Sequence, residues 1–219
     1  MDFLHQNPKK YQPIIHALKD GAGKILSEGD SVAVYHTASE VWIVSPGERP
    51  LWPEGEVEVM LLIGDDQLEE AKHRYGFTHD MTCYQFVYVD ETLPMLDNQL
   101  EIRPLSLEEL PIVVANYPAN SPSELEEKIR RRWLFGGYME DELIGFIGTH
   151  DDGSMGLLVI LDGHRRRGYG EAMEVWLIHH LVEQGIRPFG HVDVSNDRSY
   201  QLQHKLGFQE ASERVHWLW

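Results

Sequence analysis

The hydrophobic and polar positions of the chain fall into short alternating runs broken by helical stretches with clear start and stop signals. Asn7 followed by Pro8 predicts an N-cap with proline in the first turn, and Gly21 predicts a stop. A helix therefore runs through KKYQPIIHALKD, strained at Pro13, which has no N–H to donate. SVAVYHT and VWIVS predict two strands of a hairpin around Ala38-Ser39. VEVMLLIG is short and apolar enough for a buried strand. Asp65 or Asp66 can cap a helix over DQLEEAKHRYG that ends at Gly76, and TCYQFVYVD returns as a strand. Periodicity is lost over residues 91–99, which predicts a linker and divides the chain into domains 1–97 and 98–219.

The second part opens with the strand LEIRPL. Ser106 and Glu109 have capping-box spacing ahead of a short helix, and Ser121-Pro122-Ser123 opens another, SELEEKIRRRW. LFGGYME and LIGFIGTH predict strands joined at Asp141-Glu142, and SMGLLVIL is a third. A glycine-rich turn and a long helix follow. PFGHVDVS is a strand, DRSYQLQHKLG a helix after Asn196, and VHWLW a closing strand.

The two parts echo each other. VMLLIGDDQLEEAKHRYGF lies without a gap over GHVDVSNDRSYQLQHKLGF, and CYQFVY over RVHWLW. Strand, helix, Gly-Phe turn and aromatic strand recur in the same order, which predicts two copies of one half-fold. The class is α/β with a mixed sheet.

Composition narrows the function. The 219 residues are 42% hydrophobic and 25% charged, ordinary for a soluble globular chain. A net charge of −17 argues against nucleic acid as the main partner and is compatible with a cationic substrate. The single cysteine, Cys83, excludes an internal disulfide and a multi-cysteine metal site, so no metal is expected. The N-terminus has no apolar signal core and the longest apolar run is too short to span a bilayer, so no membrane contact and a cytoplasmic location are the expectation.

Against this acidic background, Arg165-Arg166-Arg167-Gly168-Tyr169-Gly170 runs into a helix start. That end of a helix carries about half a positive charge, so cations there repel it unless an anion sits among them. Glycines permit close backbone approach and the free N–H groups of the first turn point outward, which makes the segment a phosphate cradle. Only the second copy has it, so the first is expected to be degenerate and non-catalytic.

VILDGHRRRGYG resembles the signature of the GNAT acetyltransferase superfamily, R-x-x-G-x-G/A, as Arg165-x-x-Gly168-x-Gly170. A second signature, an Asn, a helix and Lys-x-Gly-Phe, is matched by Asn196 and by Lys205-Leu206-Gly207-Phe208. The resemblance covers roughly residues 100–219 and is nearest to the glycine N-acyltransferase-like branch. It implies a GNAT fold with two central splayed strands, SMGLLVIL and PFGHVDVS, preceded by a degenerate GNAT-like half domain. It also implies acetyl-CoA as co-substrate. Its pantetheine arm would pair with Leu158, Val159 and Ile160, its pyrophosphate would lie on the backbone N–H groups around Arg166 to Gly170, Tyr169 included, Arg165 to Arg167 would meet the 3′-phosphate or solvent, and Asn196 would stand near the cofactor.

Direct acyl transfer from a thioester to an amine needs a neutral amine, hence a base, and profits from proximity. Many relatives protonate the leaving thiolate with a tyrosine where this chain has Gln203; Tyr200, three residues earlier on a similar face, is the substitute candidate, with solvent or unassisted departure as the alternatives. The glycine N-acyltransferase pattern places a glutamate near Ser154, which is no base. Asp151 and Asp152 lie just upstream, where an ordinary turn is the plainer reading. His191 and Asp193 alternate onto one face of the later strand and are the candidate bases. The leading expectation is an N-acyltransferase acting on a small amine or amino acid, as a monomer or homodimer. A non-catalytic CoA-binding or regulatory protein and a protein acetyltransferase remain as alternatives.

Overall fold

The computed structural model describes residues 2–96 and 99–219. The chain forms two compact units, one made of Met1–Asp90, Asp151–Ser154 and Phe189–Trp219, the other of Glu91–His150 and Met155–Pro188. The expected cut between 97 and 98 lies outside the described residues. The compact units do not follow it: Phe189–Trp219 completes the unit that begins at the N-terminus.

The first unit is built on a mixed sheet. Its strands are β1 (Ala22–Glu28), β2 (Ser31–His36), β3 (Val41–Ser45), β4 (Met60–Ile63), β5 (Asp80–Val87), β10 (Phe189–Asp193), β11 (Gln209–Glu210) and β12 (Val215–Leu218). They run in the order β1-β2-β3-β4-β12-β5-β10, with β11 also on β5. β3 and β4 are parallel; the other pairs are antiparallel. Strand alternation sorts the core into two faces. Val32, Val34, Ile43 and Leu61 pack with Ile14 and Ala17 of helix α2 (Pro8–Asp20). Ala33, Val44, Met60 and Leu62 pack with Ala71 of helix α3 (Leu68–Tyr75).

Helix α2 starts as expected: the Asn7 side chain accepts from the Lys10 N–H and Pro8 opens the first turn. A short α1 (Phe3–Gln6) precedes it. Pro13 leaves the Lys9 carbonyl without its usual helical donor. Gln85 of β5, fully buried, supplies one: its Nε2 donates to the Lys9 carbonyl and, at 2.9 Å, to that of Lys10. The expected cap of α3 is not made. Gln67 stands at its N-cap without a side-chain bond, because Asp65 instead accepts from buried His216 at 2.9 Å. β1 was not expected; five of its seven residues are exposed, so it carries no alternation to read.

The second unit has the antiparallel sheet β6 (Glu101–Pro104), β7 (Leu134–Met139), β8 (Glu142–Thr149) and β9 (Met155–Ile160), in that order. Helix α6 (Tyr169–Glu183) covers one face through Tyr169, Met173, Leu177 and Leu181. Helices α4 (Leu110–Asn116) and α5 (Pro122–Arg130) cover the other through Val113, Leu125 and Ile129. Ser121 and Glu124 form a complete capping box on α5. Ser106 donates both its N–H and its hydroxyl to the Glu109 carboxylate, which closes the turn before α4. The two sheets are separate: β9 ends one and β10 ends the other. Helix α7 (Asp197–Lys205) follows β10 in the first unit. Among the described residues no helix is long and apolar enough to cross a membrane.

Candidate active site

The cradle is a local product of its own sequence. Arg166 and Gly168 both have left-handed backbone, φ +65 and +86, separated by one residue. Such alternation turns successive N–H groups to one side, the geometry of an anion nest. Gly168 is the N-cap of α6 and offers no side-chain bond to the first turn, so those N–H groups keep their outward donors. The space in front of Gly168 is open within 4 Å of a notional Cβ. The three arginines divide their roles. Arg165 is tied back, Nε to the Ile160 carbonyl at 2.9 Å and an Nη to Asp162 at 3.1 Å. Arg166 and Arg167 are exposed. Tyr169 is buried and turns its ring into the core, leaving only its backbone to the cradle. Beside α6 a cavity of about 500 Å³ is lined by Leu96, Gln99, Arg167, Gly168, Glu171 and Val175.

β9, with Leu158, Val159 and Ile160, leads into this turn. Among the described residues it pairs with β8 alone, so its other edge offers backbone groups. The register slips between Phe146 and Gly148, and Leu157 has φ +51, which places a β-bulge in the middle of the strand. The stretch therefore combines outward amide donors at the turn with donors and acceptors along a strand edge.

The candidate catalytic residues all lie in the first unit and are not brought to one point. His191, on β10, is enclosed: its side chain is 5% exposed and its Nδ1 is 3.8 Å from Oδ2 of Asp152, itself 1% exposed. The other Asp152 oxygen accepts from the Ser154 N–H and Oγ at 3.1 and 2.7 Å. His191 rests edge-on against Phe189 and Trp217, each 5.8 Å away between ring centres. Asp193 turns into its own loop and accepts from Ser195 N–H at 2.7 Å and from its hydroxyl. Those bonds hold its carboxyl below the usual range, which weakens it as a base. Tyr200 donates to Glu210 at 2.9 Å, and that bond raises its hydroxyl above the ordinary phenol value, which weakens it as an acid. Asn196 is the N-cap of α7 and accepts from the Ser199 N–H at 3.1 Å. Burial pushes the Cys83 thiol up to about 12, so it stays protonated at neutral pH.

Sequence reasoning read Asp151-Asp152-Gly153 as an ordinary turn. It missed that this turn carries a buried carboxylate facing His191; the one signal was an acidic pair directly ahead of β9. Among the described residues no group of three or more His, Cys, Asp or Glu could hold a metal ion.

The fold is that of the GNAT acetyltransferases. Residues 134–218 match the family model of FR47-like proteins. An X-ray structure of a Drosophila protein is similar over 86% of this chain and 74% of its own, at 22% identity and a TM-score of 0.61. A GNAT-family acetyltransferase from Colwellia psychrerythraea is similar over 86% of this chain and 80% of its own, at 14% identity and a TM-score of 0.55. A tandem GNAT protein from the clavulanic acid biosynthesis pathway is similar over 94% and 86%, at 12% identity and a TM-score of 0.50. A sequence search among curated proteins finds no match.

Proposed function

We propose that the chain is an acyl-CoA-dependent N-acyltransferase that moves an acetyl group to the primary amine of a small molecule or amino acid, nearest in kind to the glycine N-acyltransferase-like branch. The observation that carries the reading is the nest at Arg166 to Gly168 on the uncapped start of α6. Its amides would hold the pyrophosphate, with the side chains of Arg166 and Arg167 beside it. The free edge of β9 would pair with the amides of the pantetheine arm as an added strand. Coenzyme A supplies the acyl group as a thioester, and the protein's task is to position it and to handle one proton. His191 is the base: Nε2 takes the proton that the attacking amine loses, and Asp152 stabilises the imidazolium at Nδ1. Departure of the thiolate is left to solvent, because Tyr200 is committed to Glu210.

The N-terminal half fits a degenerate copy. The order β4-β12-β5-β10 reads the same when the first copy's strands are exchanged for the second's. A second reading, a CoA-binding protein without catalysis, is favoured by that same commitment of Tyr200. Thiol release from acetyl-CoA with a panel of small amines and amino acids separates the two. Acceptor-dependent release, lowered at least about a hundredfold in His191→Gln, supports the enzyme. Tight CoA binding in calorimetry with no acceptor-dependent release overturns it.

A further inference from the structure

Helix α2 carries a histidine into the surroundings of the Asp152–His191 pair. His16 Nε2 occupies the space that a Cβ on Gly153 would need, so the 151–154 turn closes against the imidazole. The His16 ring is 5.6 Å from Phe189, and Phe189 is 5.8 Å from His191, so one aromatic ring is shared by both imidazoles. The groups facing His16 come from four elements. Lys19 and Asp20 lie on its own helix, His36 on β2, Asp152 on the turn, and the Phe189 ring on β10. His36 is itself bonded to Asp20 at 3.0 Å and to Ser39 at 2.8 Å. Burial holds the His16 imidazole below its ordinary value; the carboxylates of Asp20 and Asp152 oppose this, while His36 and Lys19 add to it. His16 is therefore neutral at pH 7.

We propose that His16 is a positioning residue for the Asp152–His191 base. Neutral, it braces the 151–154 turn and leaves the Asp152 carboxylate to His191; protonated, it takes that carboxylate over and the base is lost. The inference rests on the reading of His191 as the base. Its physical ground is that the buried Asp152 carboxylate lies 3.8 Å from His191 Nδ1 while the turn that carries it closes against His16, so the charges of the two imidazoles compete for it and the two titrate as a pair. It also gives the N-terminal helix a share in the site, which an inert copy would not have.

Two measurements on the full chain test this. The first follows the ring signals of ¹³C-labelled histidines by NMR from pH 4 to 9. The His16 midpoint should rise by about one unit in His191→Gln, where a like charge is gone, and fall in Asp152→Asn. The second is the acid limb of thiol release from acetyl-CoA with the best amine of the panel. Its slope should approach two protons in the wild type and one in His16→Gln. His16→Asn serves if the glutamine variant loses the wild-type near-ultraviolet circular dichroism. A His16 midpoint that moves in neither variant overturns the coupling, as does an acid limb of equal slope with and without His16. If instead His191→Gln keeps the wild-type rate, the base assignment falls, while the NMR midpoints still decide whether His16 and His191 are linked.

Discussion

Two glycines two residues apart in the cradle should respond oppositely to the same added methyl group. Gly168 has φ +86, a conformation that costs an L-residue about 1–2 kcal/mol, and a Cβ there meets nothing within 4 Å. The loss in Gly168→Ala is thus conformational, not steric. It should lower the melting temperature by about 2–8 °C for a chain of this size. Gly170 lies inside the first turn of α6, and its Cβ would meet Ile160 Cγ1 and Leu158 Cδ2 at 3.7 Å, an ordinary contact. Alanine is the better helix former there, so Gly170→Ala should gain about 0.5 kcal/mol, or about 1–2 °C. The methyls also point differently. At Gly168 it enters the open space before the nest, where the reading puts the pyrophosphate, and CoA affinity should fall at least about tenfold, some 1.4 kcal/mol. At Gly170 it points toward β9, and affinity should stay within about threefold. Differential scanning calorimetry and isothermal titration with CoA measure both pairs of values. Melting shifts of the same sign would refute the conformational argument, and unchanged CoA affinity in Gly168→Ala would refute the placement of the anion.

Two further outcomes test the fold around the site. Asp193→Ala removes a carboxylate held ionised by the Ser195 N–H and hydroxyl. Its folded pKa is lowered, so its stabilisation is present above the ordinary carboxylate value near 3.9 and is lost as pH falls through the lower folded value. Urea melts should show a deficit of about 1 kcal/mol at pH 7 that vanishes near about pH 2. Gly148→Ala sets a methyl against the Trp133 carbonyl oxygen, a backbone atom that cannot swing away. Chemical denaturation should show a loss of at least about 2 kcal/mol; a loss below about 0.5 kcal/mol would mean that β8 and the 131–133 turn are free to part.

Features made by neighbouring residues were legible in the sequence. Asn7-Pro8 starts α2, Ser121 with Glu124 starts α5, and Gly76 ends α3, each because a cap is satisfied within one turn of chain. The cradle belongs with them, since its charge, its left-handed backbone and its helix start all lie within residues 165–170. Features made by distant residues were not legible. The Lys9 carbonyl left bare by Pro13 is met by Gln85, seventy-six positions away. Asp65 fails to cap α3 because His216, on a strand at the far end of the sequence, claims it.

The sequence alone thus determined the local elements and the arginine-glycine turn ahead of α6, because short-range sterics and orphaned backbone groups decide those. The tertiary structure alone decided that β12 enters between β4 and β5, so that the compact units cross the expected linker. It alone brought His191 to the buried Asp152 carboxylate and His16 against the turn that carries it. Long-range strand pairing and burial choose such partners, and no spacing along the chain encodes them.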